Sequence, residues 1–387
     1  MRHYDVILAG GGAAGLSLAH RLTQHPRFAD TRLLIVDEEV KDRNDHTWCS
    51  WLRGPAPFDE LAYRVWDRLA FVAPDFEQTF DLAPYRYRML RAVDLYRHVR
   101  ETLAPQPNVD FLLGRVERVV DGNDRAEVHV NALTYTADWV FDSRYRASDY
   151  RPLDRRHHHL IQHFLGWEIE TAAPVFAPEV PVFFDFRTPQ DGTMRFVYVL
   201  PYDKRHGLVE YTLFSPHLLP RANYENALRA YVRDVLGAGK FRILTEEQDL
   251  IPMTDRRFPR RAGRRVMNVG TRGGRVKASS GFAFHRIQQD NAAIVASLAT
   301  HGHPFDIPEA PPRFHTFDAM LLEVLTQPGD LGARTFTALF RKNPIQRIFR
   351  FLDEETAWAE DLQIMASVPW IPFTKAWFNV RWRGRGI

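Results

Sequence analysis

Three features predict an α/β fold: an apolar run ending in a glycine turn, a second apolar run ending in an acid, and a strand-rich middle followed by another glycine turn. They imply a Rossmann-like domain, an antiparallel β-sheet domain inserted into it, and C-terminal helices. The first feature is Tyr4-Asp5-Val6-Ile7-Leu8-Ala9-Gly10-Gly11-Gly12-Ala13-Ala14-Gly15-Leu16. It reads as a buried strand, a tight turn and the start of a helix. Gly10, Gly12 and Gly15 fit G-x-G-x-x-G. Gly10 permits the sharp turn, Gly12 lets the backbone approach a pyrophosphate, and Gly15 lets the helix pack close on the strand. The helix N-terminus then offers free N–H groups to an anion. The second feature is Leu33-Leu34-Ile35-Val36-Asp37. Asp37 stands roughly 20 residues past the last glycine, where a ribose-binding carboxylate belongs.

Length and composition narrow the possibilities. A chain of 387 residues exceeds one minimal core. Its 45% hydrophobic and 26% charged content is that of a globular protein. A formal charge of +3 gives no reason to expect nucleic acid as a partner. The single Cys49 excludes an internal disulfide and points to a reducing, cytosolic compartment. No signal peptide is recognisable, and no apolar run reaches the roughly 18–20 residues that span a bilayer.

Along the chain, residues 1–40 give strand, turn, helix and strand, and 41–51 a polar loop closing on aromatics. Residues 60–92 alternate like strands, 93–103 look helical, and strand-like runs follow at 110–113, 116–120, 126–130 and 138–142. Four strands are expected between 160 and 255: 164–170, 182–186, 194–200 and 207–214, with a helix around 222–238. Arg265-Val266-Met267-Asn268-Val269-Gly270 leads into Gly270-Thr271-Arg272-Gly273-Gly274 and then a helix from about 282. Residues 303–313 read as a Pro-rich linker and 314–387 as helices. The expected division is therefore a discontinuous nucleotide domain of 1–150 and 256–302, with the strands near 60–92 open to joining the other sheet. A β-rich domain of 151–255 and a helical region of 303–387 complete it.

A dinucleotide is long, so a second backbone segment must cover its far phosphate and ring. Two glycine turns separated by a β-rich insertion point to FAD rather than NAD, in a domain of the flavoprotein hydroxylase type. The expected cofactor contacts are Gly10, Gly12, Gly15, Asp37, Gly270, Gly273, Gly274 and Gly281.

Five stretches carry a more specific likeness: residues 5–12; His46-Thr47-Trp48; Phe196-Val197-Tyr198-Val199-Leu200-Pro201; Leu208-Val209-Glu210-Tyr211-Thr212; and Ser280-Gly281-Phe282 after Gly273-Gly274. With Phe340-Arg341-Lys342-Asn343-Pro344 and Phe349-Arg350-Phe351-Leu352, they make the chain resemble the bacterial lycopene β-cyclases, FAD-dependent enzymes that close carotenoid end rings. It departs where many relatives carry an acidic pair, here Glu210-Tyr211, and where many carry Pro-Ser-Thr-Gly-Tyr or Pro-Thr-Thr-Gly-Tyr, here Ala278-Ser279-Ser280-Gly281-Phe282.

The resemblance implies a redox-neutral isomerase. Lycopene would be cyclised to γ-carotene and β-carotene with reduced FAD, and NAD(P)H would supply the reducing equivalents. It implies Glu210 as the acid, which the sequence alone places at the end of an apolar strand, where burial would keep it protonated. Asp185 and Glu168, on strands expected beside the pocket, are candidates for the base. Trp48, Tyr198, Tyr211 and Phe282 are candidates for cation–π contacts.

No metal is expected. His157-His158-His159 reads as a solvated turn, because adjacent histidines diverge and no ligand cluster is spaced to match. Phe336, Leu339, Phe340 and Ile345, Ile348, Phe349, Leu352 recur at helical spacing, flanked by Arg334, Arg341, Lys342, Arg347 and Arg350. Trp and Arg mix from Trp370 to Arg385. This composition suits a headgroup layer, and a core-facing helix is the alternative. The implied partners are carotenoids, the cytoplasmic side of a membrane as a peripheral site, and other enzymes of carotenoid formation. A flavin-dependent monooxygenase or isoprenoid reductase on the same fold, or a silent carotenoid-carrying protein, are the competing readings.

Overall fold

The computed structural model describes residues 1–145 and 156–383. The boundary expected between 150 and 151 lies outside them, as do Gly384 and Arg385 of the basic tail.

The first sheet is built on Arg2–Ala9, which pairs in parallel with Leu33–Asp37 on one side and Leu133–Asp142 on the other. Val109–Leu113 extends it beyond Leu33–Asp37, again in parallel. The inner stretches of these central strands, Val6–Ala9, Leu33–Val36 and Val140–Phe141, are apolar because both faces are covered there. One face carries the helices Ala13–Gln24, Ala92–Leu103 and Phe284–His301 through Leu18, Leu95 and Ile294. The other packs Ile7 and Val36 against Val116, Val128 and Val130. These valines come from the antiparallel strands Val116–Val120 and Ala126–Val130, which continue from Leu133–Asp142. Val266–Asn268 joins that last strand in parallel, so a segment far along the chain completes the sheet.

The second sheet has the order Phe241–Met253, Leu160–Thr171, His206–Ser215, Met194–Pro201, Val182–Asp185, Arg68–Ala73, Phe76–Asp81. The sequence reading needs two corrections here. The sheet is not antiparallel throughout, because Val182–Asp185 pairs in parallel with Arg68–Ala73. No tight turn joins those two strands, so nothing forces a hairpin geometry. Its first strand, Phe241–Met253, was not among the expected four. A small third sheet joins Thr47–Arg53, Tyr85–Arg91 and Arg64–Trp66, so residues 47–51, read as loop, are strand.

Side-chain alternation divides the second sheet into two faces. Trp167, Val197, Val209 and Tyr211 point to one side and meet Tyr224, Leu228 and Val232 of the helix Arg221–Asp234. The other side turns toward the first domain and a core of aromatic residues.

Helices Leu331–Lys342 and Ile345–Leu352 fill that core. Phe340 stacks on Phe71 at 4.4 Å and Phe349 on Trp51 at 4.6 Å, while Ile345 and Ile348 are buried. Their apolar stripes therefore face inward, which corrects the expectation that they meet a membrane. Removing a buried phenylalanine costs about 3–5 kcal/mol, so these helices are part of what holds the fold together. The last two helices, Trp358–Ser367 and Trp370–Arg383, differ. Phe373 and Ala376 pack on Met320 and Val324 of Pro312–Leu325, but Trp358, Leu362, Trp370, Ile371, Trp377, Phe378 and Trp382 are exposed. Among the described residues, no helix is long and apolar enough to cross a membrane.

Candidate active site

A cavity of about 520 Å³ runs from the first glycine turn to the second sheet. Gly10, Gly12, Asp37, Gly270 and Gly281 all line it. Gly10 has φ +117°, and a Cβ there would fall 2.3 Å from Ser143 Oγ, so only glycine makes this turn. A Cβ on Gly12 would meet nothing within 4 Å, because its open side is the cavity itself. Gly12 is also the N-cap of Ala13–Gln24, so the helix N-terminus opens there. Asn291, fully buried, donates to Ala14 O at 3.1 Å and Ser17 Oγ at 2.9 Å and locks that helix to Phe284–His301. Asp37 accepts from Gly11 N–H at 2.6 Å at the cavity edge.

The three other expected cofactor glycines do not line the cavity. Gly15 packs against the turn, where a Cβ would lie 2.0 Å from Gly10 O. A Cβ on Gly273 would lie 2.5 Å from Asn268 O, and Gly274, at φ +71°, turns the chain against Phe258. Gly15 and Gly273 allow close backbone approach, and Gly274 a left-handed turn.

Among the described residues, Gln162 Oε1 and Ser280 Oγ in the wall are buried with no hydrogen-bond partner. Such atoms are costly unless a ligand or water satisfies them. The donors, the open glycine edge and these orphan atoms form a bed that fits a long dinucleotide such as FAD.

Glu210 sits in the middle of His206–Ser215, not at its end, and is only 8% exposed. It lines the cavity on the same face as Tyr198, its neighbour across the sheet. Thr212 Oγ1 donates to its Oε1 at 2.7 Å. Burial, followed by the charge of Glu247, pushes the Glu210 carboxyl well above the usual range. Glu247, on the strand that sequence reading missed, is 7% exposed and accepts from Thr47 Oγ1 at 2.7 Å. Burial raises it too. Beyond it, His46 Nε2 meets Asp249 Oδ2 at 3.0 Å and its Nδ1 lies 3.0 Å from Asp45 Oδ1. Burial disfavours the imidazolium, but the two carboxylates outweigh it and raise His46 to about 10. Cys49 is pushed up to about 12 by burial beside these acids.

The other expected site residues separate cleanly. Trp48, Tyr198 and Phe282 line the cavity. Tyr211 does not, since alternation turns it to the helix-covered face. Asp185 lies on that same far face, bound by Arg187 and by Tyr231 Oη at 2.6 Å. Glu168 shares the face of Glu210 but accepts from Thr245 Oγ1 at 3.1 Å, away from the cavity. Neither is placed to serve as the base.

His158 is no solvated residue. It is buried, with Nδ1 2.9 Å from Asp255 Oδ2 and Nε2 2.6 Å from Glu323 Oε2. Burying an imidazole between two acids ties the second sheet to Pro312–Leu325. Among the described residues, one group has metal-ligand character, His3, Asp5 and Asp138. Asp5 there is engaged by Arg32 and His3 by Thr136.

The family described as lycopene cyclase protein matches residues 5–377. The chain belongs to the lycopene cyclase family. A search of curated protein sequences found no match. Among solved structures, this cyclase-family chain is similar to a flavoprotein/dehydrogenase from Cytophaga hutchinsonii, with TM-score 0.64, 12% identity, and 98% and 99% of the two chains covered. It is similar to a geranylgeranyl bacteriochlorophyll reductase-like protein from Thermoplasma acidophilum, with TM-score 0.60, 12% identity, and 97% and 96% covered. A p-nitrophenol 4-monooxygenase from Pseudomonas putida gives TM-score 0.58, 16% identity, and 98% and 99% covered. These likenesses show the fold, which is the FAD-binding flavoprotein fold of the hydroxylase type.

Proposed function

We propose that the protein is a lycopene β-cyclase that binds FAD and works with it in the reduced state, NAD(P)H supplying the electrons. Lycopene would be closed to γ-carotene and β-carotene without net redox change. The observation that carries the reading is Glu210, a buried carboxyl in the wall of the cavity that the glycine turns open into. Cyclisation begins when a proton adds to a terminal alkene. A tertiary cation forms, the neighbouring alkene attacks it, and a proton leaves. An alkene is a weak base, so the donor must be dry and held neutral, which is the condition of Glu210. Bound FAD in its reduced, anionic form would supply negative charge beside the cation. The rings of Trp48, Tyr198 and Phe282 face the same space, each worth up to about 2 kcal/mol to a desolvated cation.

A carotene is insoluble in water, so the enzyme would take it from lipid. The exposed Trp370, Trp377 and Trp382, with Lys375 and Arg381, suit peripheral attachment to the cytoplasmic side of a membrane. The deciding experiment is expression in lycopene-forming cells, with pigments read by chromatography and mass. Ring closure leaves the mass of lycopene unchanged. A product heavier by oxygen favours a monooxygenase, and one heavier by hydrogen an isoprenoid reductase.

A further inference from the structure

Glu247, Gly166 and Glu210 are registered neighbours on three adjacent strands. Strands lie about 4.8 Å apart, so the two glutamates start about 9.6 Å from each other. Their side chains can meet only over an empty middle position. Gly166 provides it: a Cβ there would lie 3.0 Å from Glu247 Cγ and 3.4 Å from Glu210 Cγ. The two side chains therefore converge over Gly166 from either side, and each carboxyl perturbs the other. Each also has a hydroxyl donor, Thr212 for Glu210 and Thr47 for Glu247. Among the described residues, neither has an arginine or lysine as ion-pair partner. The nearby His46 is already held between Asp45 and Asp249, so two acids buried together with no arginine or lysine beside them hold one proton between them at neutral pH.

We propose that Glu247 is the base of the ring closure and Glu210 its acid, the pair sharing a single proton over Gly166. This rests on the cyclase reading above. The Glu210 O–H bond breaks as a C–H bond forms at the alkene. A C–C bond then closes the ring. A C–H bond beside the cationic carbon breaks, its electron pair becomes the ring double bond, and its proton goes to the Glu247 carboxylate. Transfer from Glu247 to Glu210 over Gly166 restores the starting state. No electron is exchanged and no proton is left over. The place of the base also decides which proton leaves, and so which ring isomer forms.

The test is E247Q, assayed with the flavin-loaded protein and lycopene. The rate is expected to fall about 100-fold, the usual worth of a positioned base. The residual product is expected to spread over ring isomers of unchanged mass. A second readout needs no substrate: 13C NMR of protein labelled at glutamate carboxyls. The Glu210 signal should titrate lower in E247Q than in wild type, since a like charge is gone. The other titratable groups facing the pair are Asp249, His46, Cys49, Tyr87, Tyr198 and Tyr202, and all stay in place in this variant.

Wild-type turnover with an E247Q that makes one ring type at the same rate overturns this role alone. Wild-type protein that leaves lycopene unchanged overturns the cyclase reading and this role with it. If E247Q does not fold, Gly166→Ala keeps both carboxyls and forces them apart. A lower rate with mixed rings supports the pair, and an unchanged rate and product overturns it.

Discussion

Asp185 and Glu210 are two buried acids on opposite faces of one sheet, and they have been given opposite surroundings. Asp185 is 0% exposed, but Arg187 and Tyr231 both donate hydrogen bonds to it. Glu210 is slightly more exposed; a threonine hydroxyl donates to it and a second carboxyl lies beside it. Burial is common to both, so burial alone does not make an acid catalyst. The difference is the partner: a guanidinium rewards ionisation, whereas a second carboxyl penalises it. The cavity and the helix Arg221–Asp234 sit on opposite sides of the same strands, and alternation decides which acid meets which.

The largest expected effect tests that contrast directly. Glu210→Gln should cut ring closure by about 10⁴-fold or more, beyond detection in cells, while the protein stays yellow with bound flavin. Asp185→Asn should leave the rate near wild type and instead lower stability by about 1–3 kcal/mol, read by urea unfolding, as Arg187 and Tyr231 lose their acceptor. Loss of activity in Asp185→Asn at normal stability would erase the distinction between the faces.

A smaller contrast lies within the first glycine turn. Gly12 opens onto the cavity, but a Cβ on Gly15 would overlap the Gly10 carbonyl. Gly12→Val should therefore weaken flavin binding by about 100-fold, roughly 2.7 kcal/mol, with the fold intact by circular dichroism. Gly15→Val should fail to fold. Stoichiometric flavin in purified Gly12→Val would mean that the pyrophosphate lies elsewhere.

The contrast also shows what sequence could reveal. The glycine turn, the acid of Asp37 and the apolar strand around Glu210 were legible because each depends on local spacing and hydrophobicity. Glu247 and Asp249 were not. They lie in Phe241–Met253, whose first half is mostly exposed, so Thr245-Glu246-Glu247-Gln248-Asp249 looks like a solvated turn. No period-2 alternation marks it, because Ile243-Leu244 are both apolar and the five residues that follow are all polar. Gly166 was unreadable for another reason: what it does depends on residues 44 and 81 positions away, brought together only by pairing. The inward stripes of Leu331–Lys342 and Ile345–Leu352 have the same periodicity whether they face a core or a lipid surface. Only the partners, Phe71 and Trp51, settle it.

The smallest expected effect concerns the edge of the cavity, where His46 lies between Asp45 and Asp249. This site has what Glu210 lacks, opposite charges in contact, and Asp45 is correspondingly held down at about 2 by His46 despite its burial. The folded protein raises His46 to about 10, from about 6.5 in an unfolded chain. A raised histidine stabilises the fold fully below the unfolded value and loses that contribution as pH climbs through the folded one. Stability should thus decline between about pH 6.5 and pH 10 by about 1 kcal/mol, kept small because the His46 side chain is 37% exposed and its ion pairs are screened. In His46→Gln this part of the decline should vanish, as measured by urea unfolding across that range at constant ionic strength. An identical pH profile in the variant would show that the imidazolium contributes nothing. The polar rim would then be no better neutralised than the carboxyl pair behind it.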